Sequence, residues 1–497
     1  MSKLTVNTQY GQVLGERVEN VCVWKGIPYA KPPAGRLRFR PPEPPEKWEG
    51  VCDATEFGKT AMQPSSEMMR FLGDSPQGSS EDCLYLNIWS PGADDKRRPV
   101  MVWIHGGAFM YGSGSSETYD GTSFAQNGDV VVVTLNYRLG VFGFLHLAEI
   151  GGEAFAGSGN CGILDQIAAL KWVKENIQAF GGDPENITVF GESAGAMSIG
   201  AMLAANQAEG LFHKAILQSG AANNVLPSSL ATKAARRILS HLNIQDNELD
   251  RLYELSAEEL VKASETIPPM SLCPVVDDAV IHKPPLQAIA EGSAKNIPIL
   301  IGTTEDEYRL FTFADPIWRK LDAQGIEKQF QASFRTHWER LSELLKGETL
   351  TQELYEKLMT WQVFAYPAIA LSETRVRSGE SVWMYRFDYK STAFGGGLKS
   401  CHALELPFVW NTVKNPRTTA FVGDAPERFA LAEQMHHAWI AFAKNGNPSI
   451  AALPDWPEYN LEQRPTMLFN VECKVENDPG RTERLFWEQV AAAQELK

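Results

Sequence analysis

The 497 residues of this chain exceed the size at which one hydrophobic core usually keeps growing, so its length predicts two domains or one large domain with insertions. Apolar residues make up 44% and charged residues 22% of the chain, as in ordinary globular proteins, which excludes a disordered or fibrous protein. A net charge of −15 without any cluster of Lys and Arg argues against a nucleic-acid partner.

The segment 63–80 is the first unusual stretch along the chain. It contains Pro, Gly and several Ser, and its few apolar residues are Met68, Met69, Phe71 and Leu72. Long loops are where binding and catalytic residues often lie, but most are ordinary surface connections. The segment is therefore predicted to be either a mobile flap over a pocket or a simple surface loop.

Short β-branched runs then alternate with longer amphipathic stretches, as expected of a mostly parallel sheet covered by helices. Strands buried on both faces read as nearly continuous apolar runs bounded by turn residues. Four runs of this kind are predicted to be central strands, at 99–104, 129–134, 187–190 and 297–301. The fold class that follows is α/β.

Helical spacing appears between the second and third of these runs, at Ile167, Leu170, Val173 and Ile177. The run Gly-Gly-Asp-Pro at 181–184 stops this pattern, so a crossover helix is predicted before it. A later helix is predicted over 429–444, with Gly446 placed to cap it and Pro448 to prevent its continuation.

Two stretches, at about 227–295 and 315–377, are richer in charge at helical spacing and poorer in strand-like runs. Large α/β enzymes often enlarge one domain by such insertions instead of adding a second domain. We therefore predict a single domain over 1–497 with helical insertions in these two stretches.

The N-terminus and the cysteines bear on the location of the protein. The first eight residues lack the apolar stretch of a signal peptide, and no later run approaches the roughly 20 apolar residues of a membrane span. The seven cysteines are odd in number and lack C-x-x-C spacing, so free thiols are expected and neither disulfides nor a metal site. These features predict a soluble, cytoplasmic protein.

The pentapeptide Gly-Glu-Ser-Ala-Gly at 191–195 is the first motif with chemical content. Alone, G-x-S-x-G is a weak signal that also occurs as a Gly-rich turn with an idle serine. Here it follows the strand-like run 187–190 and opens onto a helical pattern, which is the order of the nucleophile elbow in α/β-hydrolases. Glycines permit the tight turn, and a helix N-terminus favours developing negative charge. We predict that Ser193 is the nucleophile.

The run His-Gly-Gly-Ala-Phe at 105–109 follows the strand that ends at Ile104. In α/β-hydrolases, the loop after an early strand supplies backbone N–H groups to the tetrahedral oxyanion. Taken alone, a Gly-Gly pair in this place is as often only a turn. With the elbow, it predicts an oxyanion hole formed by the loop residues Gly106, Gly107 and Ala108 and by Ala194.

A serine hydroxyl needs a histidine to accept its proton and a carboxylate to orient that histidine. The α/β-hydrolase order of Ser, acid and His leaves seven histidines after Ser193. His402 is favoured because it follows a Gly-rich loop, whereas the adjacent pair at 436 and 437 falls within a predicted helix. Three carboxylates follow the strand that ends at 301, where α/β sites collect, and spacing does not choose among Glu305, Asp306 and Glu307.

Further segments accompany these motifs from one end of the chain to the other, at 24–30, 38–39, 80–87, 136–138, 159–166, 180–195, 218–220 and 456–459. Together they resemble the type-B carboxylesterase family, which includes the cholinesterases, and within it the bacterial p-nitrobenzyl esterases. The resemblance implies an α/β-hydrolase fold with a large, mostly parallel central sheet flanked by helices. It also implies a bacterial serine carboxylesterase that works through an acyl-enzyme intermediate without a cofactor or metal.

The resemblance assigns residues that spacing leaves open. It implies that Glu307 is the acid of the triad and His402 its base, and Ser219 is similar to a serine that the family places beside the triad. It also implies structural ion pairs of Arg38 with Glu81 and of Arg138 with Asp165.

Two features depart from the family pattern. The family often has three glycines in the oxyanion loop, whereas this chain has Ala108 in the third position, which narrows the space but keeps the N–H. Secreted relatives pair the cysteine at position 83 with one upstream, and the region around 63–64 offers none. Cys83 is therefore predicted to be a free thiol.

The substrate pocket is predicted to include Phe109, Met110, Leu310 and Phe311. The expected partners are a small-molecule ester and water, without nucleic acid or membrane, and a monomer is favoured. If the pKa of the histidine is unperturbed, activity falls as the pH drops through about 6.5. Two alternatives stay open: a non-catalytic binding protein of this fold, and an amidase or carbamate hydrolase with the same catalytic residues.

Overall fold

The structure, a computed structural model, describes residues 3–72 and 78–492. Its strands in chain order are β1 (Lys3–Asn7), β2 (Gln12–Val18), β3 (Val21–Pro28), β4 (Val51–Asp53), β5 (Thr60–Ala61), β6 (Ser79–Ser80), β7 (Tyr85–Ser90), β8 (Arg98–Ile104), β9 (Val131–Leu135), β10 (Gly182–Glu192), β11 (Lys214–Gln218), β12 (Leu226–Pro227), β13 (Val275–Val276), β14 (Ile299–Thr304), β15 (Val382–Phe387), β16 (Pro465–Phe469) and β17 (Lys474–Asn477).

The α-helices of the same residues are α1 (Glu67–Phe71), α2 (Thr122–Gly128), α3 (Gly140–Phe144), α4 (Ala148–Gly151), α5 (Cys161–Asn176), α6 (Ala194–Met202), α7 (Ser228–His241), α8 (Ala257–Ser264), α9 (Pro285–Ala290), α10 (Arg309–Ala314), α11 (Ala323–Phe334), α12 (Trp338–Leu344), α13 (Gln352–Thr360), α14 (Tyr366–Arg377), α15 (Leu406–Val409), α16 (Pro416–Val422), α17 (Arg428–Asn445) and α18 (Arg481–Ala492). A π-helical turn, Trp361–Ala365, joins α13 to α14.

In the described part of the chain, thirteen strands form one central sheet, in the order β1-β2-β3-β7-β9-β8-β10-β11-β14-β15-β16-β17, with β4 paired to β2. The seven strands from β9 to β16 run parallel, and antiparallel strands extend the sheet at both ends. The carboxyl ends of neighbouring parallel strands lie along one edge, where α/β enzymes place their sites. The predicted α/β class and mostly parallel sheet are confirmed.

Both faces of the sheet are buried, because side chains of each central strand alternate between two apolar clusters. In β8, Val100, Val102 and Ile104 enter one cluster, while Met101 and Trp103 enter the other. The period of two that assigns successive side chains to opposite faces explains the alternation. Because helices cover both faces of the sheet, every position of a central strand is buried, and the strand reads as a continuous apolar run.

The four predicted central strands are all present as β8, β9, β10 and β14, with shifted ends. Strand β9 begins two residues later than predicted because Asp129 adopts a left-handed conformation (φ 47°) at the end of α2. Strand β10 begins earlier, at Gly182, and its pairing with β8 shifts register before Ile187. Strand β14 extends through Gly302 to Thr304, beyond the apolar run that predicted it.

The two predicted helices correspond to α5 and α17. Helix α5 ends at Asn176 and continues as a 3₁₀ turn until Gly181, whose φ of 84° requires glycine-like freedom. Helix α17 ends at Asn445, where Gly446 adopts the left-handed conformation (φ 74°) and donates its N–H to the Phe442 carbonyl. The predicted glycine cap is confirmed.

The stretches predicted as helical insertions contain α7 to α9 and α11 to α14, with the short strand β13 in the first. In the second, side chains of α11, α12 and α13 pack with Trp318 and with Trp487 and Val490 of α18 in a third apolar cluster. The division of the chain into one domain with two insertions stays a prediction.

Buried ion pairs and free thiols occur where the sequence predicted them. Arg38 binds Glu81 through two hydrogen bonds of 2.6 Å, and the Nη2 of Arg138 lies 2.7 Å from Asp165 Oδ1. All seven cysteines, including the buried Cys83, are free thiols. No helix among residues 3–72 and 78–492 combines the length and apolar character needed to cross a bilayer.

Candidate active site

Ser193 lies on a sharp turn between the end of β10 and the start of α6. Its φ of 52° and ψ of −122° are sparsely populated for residues other than glycine, which costs about 1–3 kcal/mol. The turn brings backbones together so closely that a Cβ on Gly195 would lie 1.9 Å from the Ile104 carbonyl oxygen. A Cβ on Gly191 would lie 2.8 Å from the same oxygen. This is the geometry of a nucleophile elbow, with the half-buried serine at its tip.

The loop after β8 passes directly beside the serine. A Cβ on Gly106 would lie 3.1 Å from Ser193 Cβ, and Gly107 has a φ of 105°, where only glycine is unstrained. Ala108 keeps a left-handed φ of 55° in the position that the family often fills with glycine. Ala194 is the first residue of α6, so its N–H has no partner within the helix. Gly106, Gly107 and Ala108 thus line the same cavity as Ser193, and Ala194 follows Ser193 directly in the chain.

Glu307 is fully buried and accepts three hydrogen bonds. The backbone N–H of Thr304 donates to Oε1 at 2.8 Å, the Ser219 hydroxyl donates to Oε1 at 2.5 Å, and His402 Nδ1 donates to Oε2 at 2.6 Å. Because both oxygens are occupied, the carboxylate is fixed in position and orients the imidazole. The geometry brings Glu307, Ser219 and His402 into one contact group.

The two neighbouring carboxylates face elsewhere. The 305–307 turn pairs with the loop before His402: Asp306 N–H donates to the Ser400 carbonyl, and His402 N–H donates to the Glu307 carbonyl. Asp306 Oδ2 accepts the Ser400 N–H, and the side chains of Glu305 and Asp306 line a separate polar cavity of about 410 Å³. The pairing of these two loops therefore brings Glu307, and neither of the other two carboxylates, into contact with the His402 imidazole.

The His402 imidazole lies between two carboxylates. Its Nδ1 bonds Glu307, and its Nε2 lies 3.0 Å from Oε1 of Glu192, the residue before the nucleophile. The Nε2–H bond does not point at Glu192 Oε1, and this oxygen has no aligned hydrogen bond among the described residues. The contact between Nε2 and Oε1 is therefore an ion contact. Within the same residues, Nε2 makes no hydrogen bond to the Ser193 hydroxyl. Both Ser193 and His402 line one cavity.

The surroundings of His402 shift its pKa. Burial by itself lowers the pKa of the imidazole, but the negative charges of Glu192 and then Glu307 outweigh burial and raise the pKa well above 6.5. The rings of Phe364 and Phe311 lie 4.9 Å and 5.3 Å from the imidazole ring. The protonated form of this histidine is therefore favoured in the resting site.

A third carboxyl group belongs to the same buried cluster. Burial, followed by the charges of Glu192 and Glu307, raises the pKa of Glu405 to about 8. Its Oε1 accepts a hydrogen bond from Gln218, whose own Oε1 accepts one from Trp439. The protonated form of Glu405 is therefore favoured at neutral pH.

The cavity in front of Ser193 has a volume of about 630 Å³. Most of its wall is apolar, including Met68, Leu72, Tyr119, Met197, Met270 and Phe364. The charged residues of the wall are His402, the buried Glu192, and Glu117 and Arg417, which form an exposed ion pair. A pocket of this size and character accepts a small, largely uncharged molecule.

The predicted pocket residues divide into two groups. Leu310 and Phe311 line the cavity. Phe109 and Met110 do not: Phe109 is fully buried with its ring against Phe144, and Met110 packs against the core near Gly140. Because the backbone turns at Ala108 and Phe109 with positive φ, Tyr111 lines the cavity instead. The prediction for Phe109 and Met110 was wrong.

The segment predicted as a flap or a loop contributes to the cavity wall. Helix α1, capped by the Ser66 side chain, presents Met68, Met69, Phe71 and Leu72 to the cavity. The part of the segment at 73–77 lies outside the described residues. The described residues of the segment that line the cavity lie where a flap is expected, and the mobility of the segment stays a prediction.

Sequence reasoning missed Glu192, Phe364 and Glu405. Glu192 is the variable position of G-x-S-x-G, so the motif itself assigns it no role. Glu405 follows His402 by three residues, and an acidic residue so close to the histidine could have predicted a carboxyl group near the imidazole. Nothing in the local sequence indicates that Phe364, in the π-helical turn, contacts His402. Among the described residues, no group of three or more His, Cys, Asp or Glu side chains is arranged to hold a metal ion.

Comparison with known proteins identifies the family of this chain. The model of the Carboxylesterase family matches residues 2–487. The chain is 44% identical over 494 residues to the para-nitrobenzyl esterase of Bacillus subtilis (strain 168), covering 97% of this chain and 98% of that protein. It is 34% identical over 496 residues to the phenmedipham hydrolase of Pseudarthrobacter oxydans, covering 96% and 98%. The crystal structure of Geobacillus stearothermophilus carboxylesterase EST55 aligns with a TM-score of 0.87 and 48% identity, covering 97% of this chain and 99% of that chain.

The chain belongs to the carboxylesterase family. It has the α/β-hydrolase fold and is a serine carboxylesterase, an enzyme that hydrolyses carboxylic esters. The predicted family and the likeness to bacterial p-nitrobenzyl esterases are confirmed, and the alternative of a non-catalytic binding protein is set aside.

Proposed function

We propose that Ser193, His402 and Glu307 form the catalytic triad of this esterase. His402 Nε2 takes the proton of the Ser193 hydroxyl as its oxygen attacks the ester carbonyl, and the tetrahedral oxyanion accepts N–H groups of Gly107, Ala108 and Ala194. Glu307 stabilises the imidazolium that forms. Nε2 then gives its proton to the departing alcohol, which leaves an acyl group on Ser193.

Deacylation repeats these steps with water in place of the serine. His402 accepts a proton from water, whose oxygen attacks the acyl carbonyl, and returns a proton to Ser193 as the acid departs. The single observation that supports this assignment best is the buried Glu307 carboxylate. It accepts the His402 Nδ1–H at 2.6 Å in the same cavity that Ser193 lines.

Labelling with a fluorophosphonate tests the nucleophile. A single adduct on Ser193 is expected in the wild-type enzyme, because the reagent captures the activated serine, and no adduct in Ser193→Ala. Mass mapping of the labelled peptides locates the adduct. An adduct on another serine in active wild-type protein would overturn the assignment.

The pH dependence of kcat/KM tests the base. Since His402 must be neutral to accept a proton, the rate falls as the pH drops through its pKa. The two flanking carboxylates raise that pKa, so the midpoint of this fall is expected above 6.5, higher than for an unperturbed histidine. Initial rates with a p-nitrophenyl ester from pH 5 to 9 give the midpoint. A rate that is flat between pH 5 and 8 counts against His402 as the base.

The substrates we propose are small, uncharged, largely apolar carboxylic esters, since the cavity wall is mostly apolar. Amides and carbamates are the second candidate class, because the same residues can expel other leaving groups and one similar protein is a phenmedipham hydrolase. Turnover of matched p-nitrophenyl esters and anilides separates the two classes. The cytoplasmic location, bacterial origin, monomeric state and absence of a nucleic-acid partner stay predictions.

A further inference from the structure

Glu192 is held in place between the oxyanion loop and the histidine. Its side chain is only 5% exposed, and its Oε1 lies 3.0 Å from His402 Nε2. On the other side, Oε2 faces the oxyanion loop, where a Cβ added to Gly106 would lie 2.7 Å from it. The carboxylate is therefore packed between the imidazole and this loop.

The contact occupies the nitrogen that the reaction needs. Nε2 is the atom that must accept the Ser193 proton, because Nδ1 is bonded to Glu307. In the resting arrangement Nε2 faces Glu192, and within residues 3–72 and 78–492 it has no hydrogen bond to Ser193. The Glu192 carboxylate stabilises the imidazolium form of His402. The neutral imidazole is the form that can accept the Ser193 proton.

The charges around the imidazole also favour its protonated form in the resting site. A carboxylate within about 4 Å of a cation favours the charged form, typically by 1–3 pKa units. The polar and charged groups that face His402 from the elements packed against it are Glu192 at the end of β10, the Ser193 hydroxyl, Glu307 after β14, and Glu405 on its own segment. Of these carboxyl groups, Glu192 and Glu307 are the two that lie within ion-pair distance of the imidazole nitrogens, at 3.0 Å and 2.6 Å.

We propose that Glu192 is a positioning residue that holds the protonated His402 by an ion contact at Nε2 in the resting site and so sets the pH at which Ser193 becomes activated. This inference rests on the proposed function of Ser193 and His402. The activating step is the loss of the Nε2 proton to solvent through the open cavity. The neutral imidazole then turns its Nε2 lone pair to the Ser193 hydroxyl.

The test compares two isosteric variants of buried glutamates in the same cluster, Glu192→Gln and Glu405→Gln. The measured quantity is the rate of fluorophosphonate labelling of Ser193 from pH 5 to 9, which reports activation of the nucleophile without product release. Glu192→Gln removes a negative charge beside Nε2, so the midpoint of the acid limb is expected to fall by about one pH unit or more. Glu405→Gln replaces a group that is already neutral, and its midpoint is expected to stay within about 0.3 unit of wild type.

A rescue variant separates charge from packing. Glu192→Asp keeps the charge, and its midpoint is expected to lie closer to wild type than to Glu192→Gln. If Glu192→Gln does not fold, Glu192→Ala serves as the second neutral variant, with the same downward shift expected. An unchanged midpoint in the neutral variant, or an equal shift in Glu405→Gln, overturns the role of Glu192. Failure of the wild-type enzyme to label at Ser193 would instead overturn the proposed triad.

Discussion

Alanine in place of His402 is expected to lower kcat by about 10⁶-fold, the loss seen when the base of a serine triad is removed. Without the imidazole, nothing in the site accepts the Ser193 proton during attack, and only the oxyanion N–H groups and substrate binding still contribute.

Glu307→Gln is expected to cost about 10⁴-fold, because an amide at this position no longer holds Nδ1–H in the required tautomer. Single-turnover and steady-state rates with a p-nitrophenyl ester give both values.

The neighbouring carboxylate provides the control. Asp306→Asn removes a carboxylate whose side chain accepts the Ser400 N–H and does not contact the imidazole, so a loss below about tenfold is expected. A Glu307→Gln variant no slower than Asp306→Asn would show that the wrong carboxylate has been assigned. Folding of each variant is checked by circular dichroism before its rates are compared.

The largest effect on stability is expected from Asp165→Asn. Asp165 is fully buried and accepts three hydrogen bonds from Arg138, at 3.0 Å from N, 2.8 Å from Nε and 2.7 Å from Nη2. Removing its charge leaves the guanidinium buried without a counter-ion, which typically costs 3–5 kcal/mol. A clear fall in the urea midpoint of unfolding is expected, measured by tryptophan fluorescence.

An exposed ion pair serves as the comparison for this prediction. Arg36 and Asp250 lie 2.7 Å apart, but their side chains are 75% and 81% exposed, so water screens their charges. Asp250→Asn is expected to leave the urea midpoint unchanged within error. Equal shifts for Asp165→Asn and Asp250→Asn would contradict the view that burial of Arg138 makes its partner indispensable.

Much of the sheet and of the site could be read from local sequence. Continuous apolar runs predicted four central strands, because a strand covered on both faces has no polar alternation. The elbow at Ser193 and the loop at 105–109 were predictable because each needs glycines at fixed places beside a strand. Strand ends were less predictable: β14 continues through Thr303 and Thr304, which the apolar run does not include.

Contacts between distant segments could not be predicted in this way. The choice of Glu307 over Glu305 and Asp306 depends on how the 305–307 turn pairs with Ser400, 94 residues along the chain. Resemblance to a family supplied the acid, whereas spacing alone did not. Phe109 was misplaced because the reversal of the backbone after Gly107 depends on positive φ values that the sequence does not specify.

The close packing around Gly106 and Gly195 restricts which positions of the active site tolerate substitution. A Cβ at Gly195 would lie 1.9 Å from the Ile104 carbonyl oxygen and one at Gly106 would lie 2.8 Å from the Glu192 carbonyl oxygen, so a larger residue at either position would force the backbone to shift. The apolar wall of the cavity includes Met68, Met197, Met270 and Phe364, which come from separate segments of the chain. Substitutions that change the ester preference are therefore expected along this wall, whereas Gly106 and Gly195 beside the serine are expected to stay glycine.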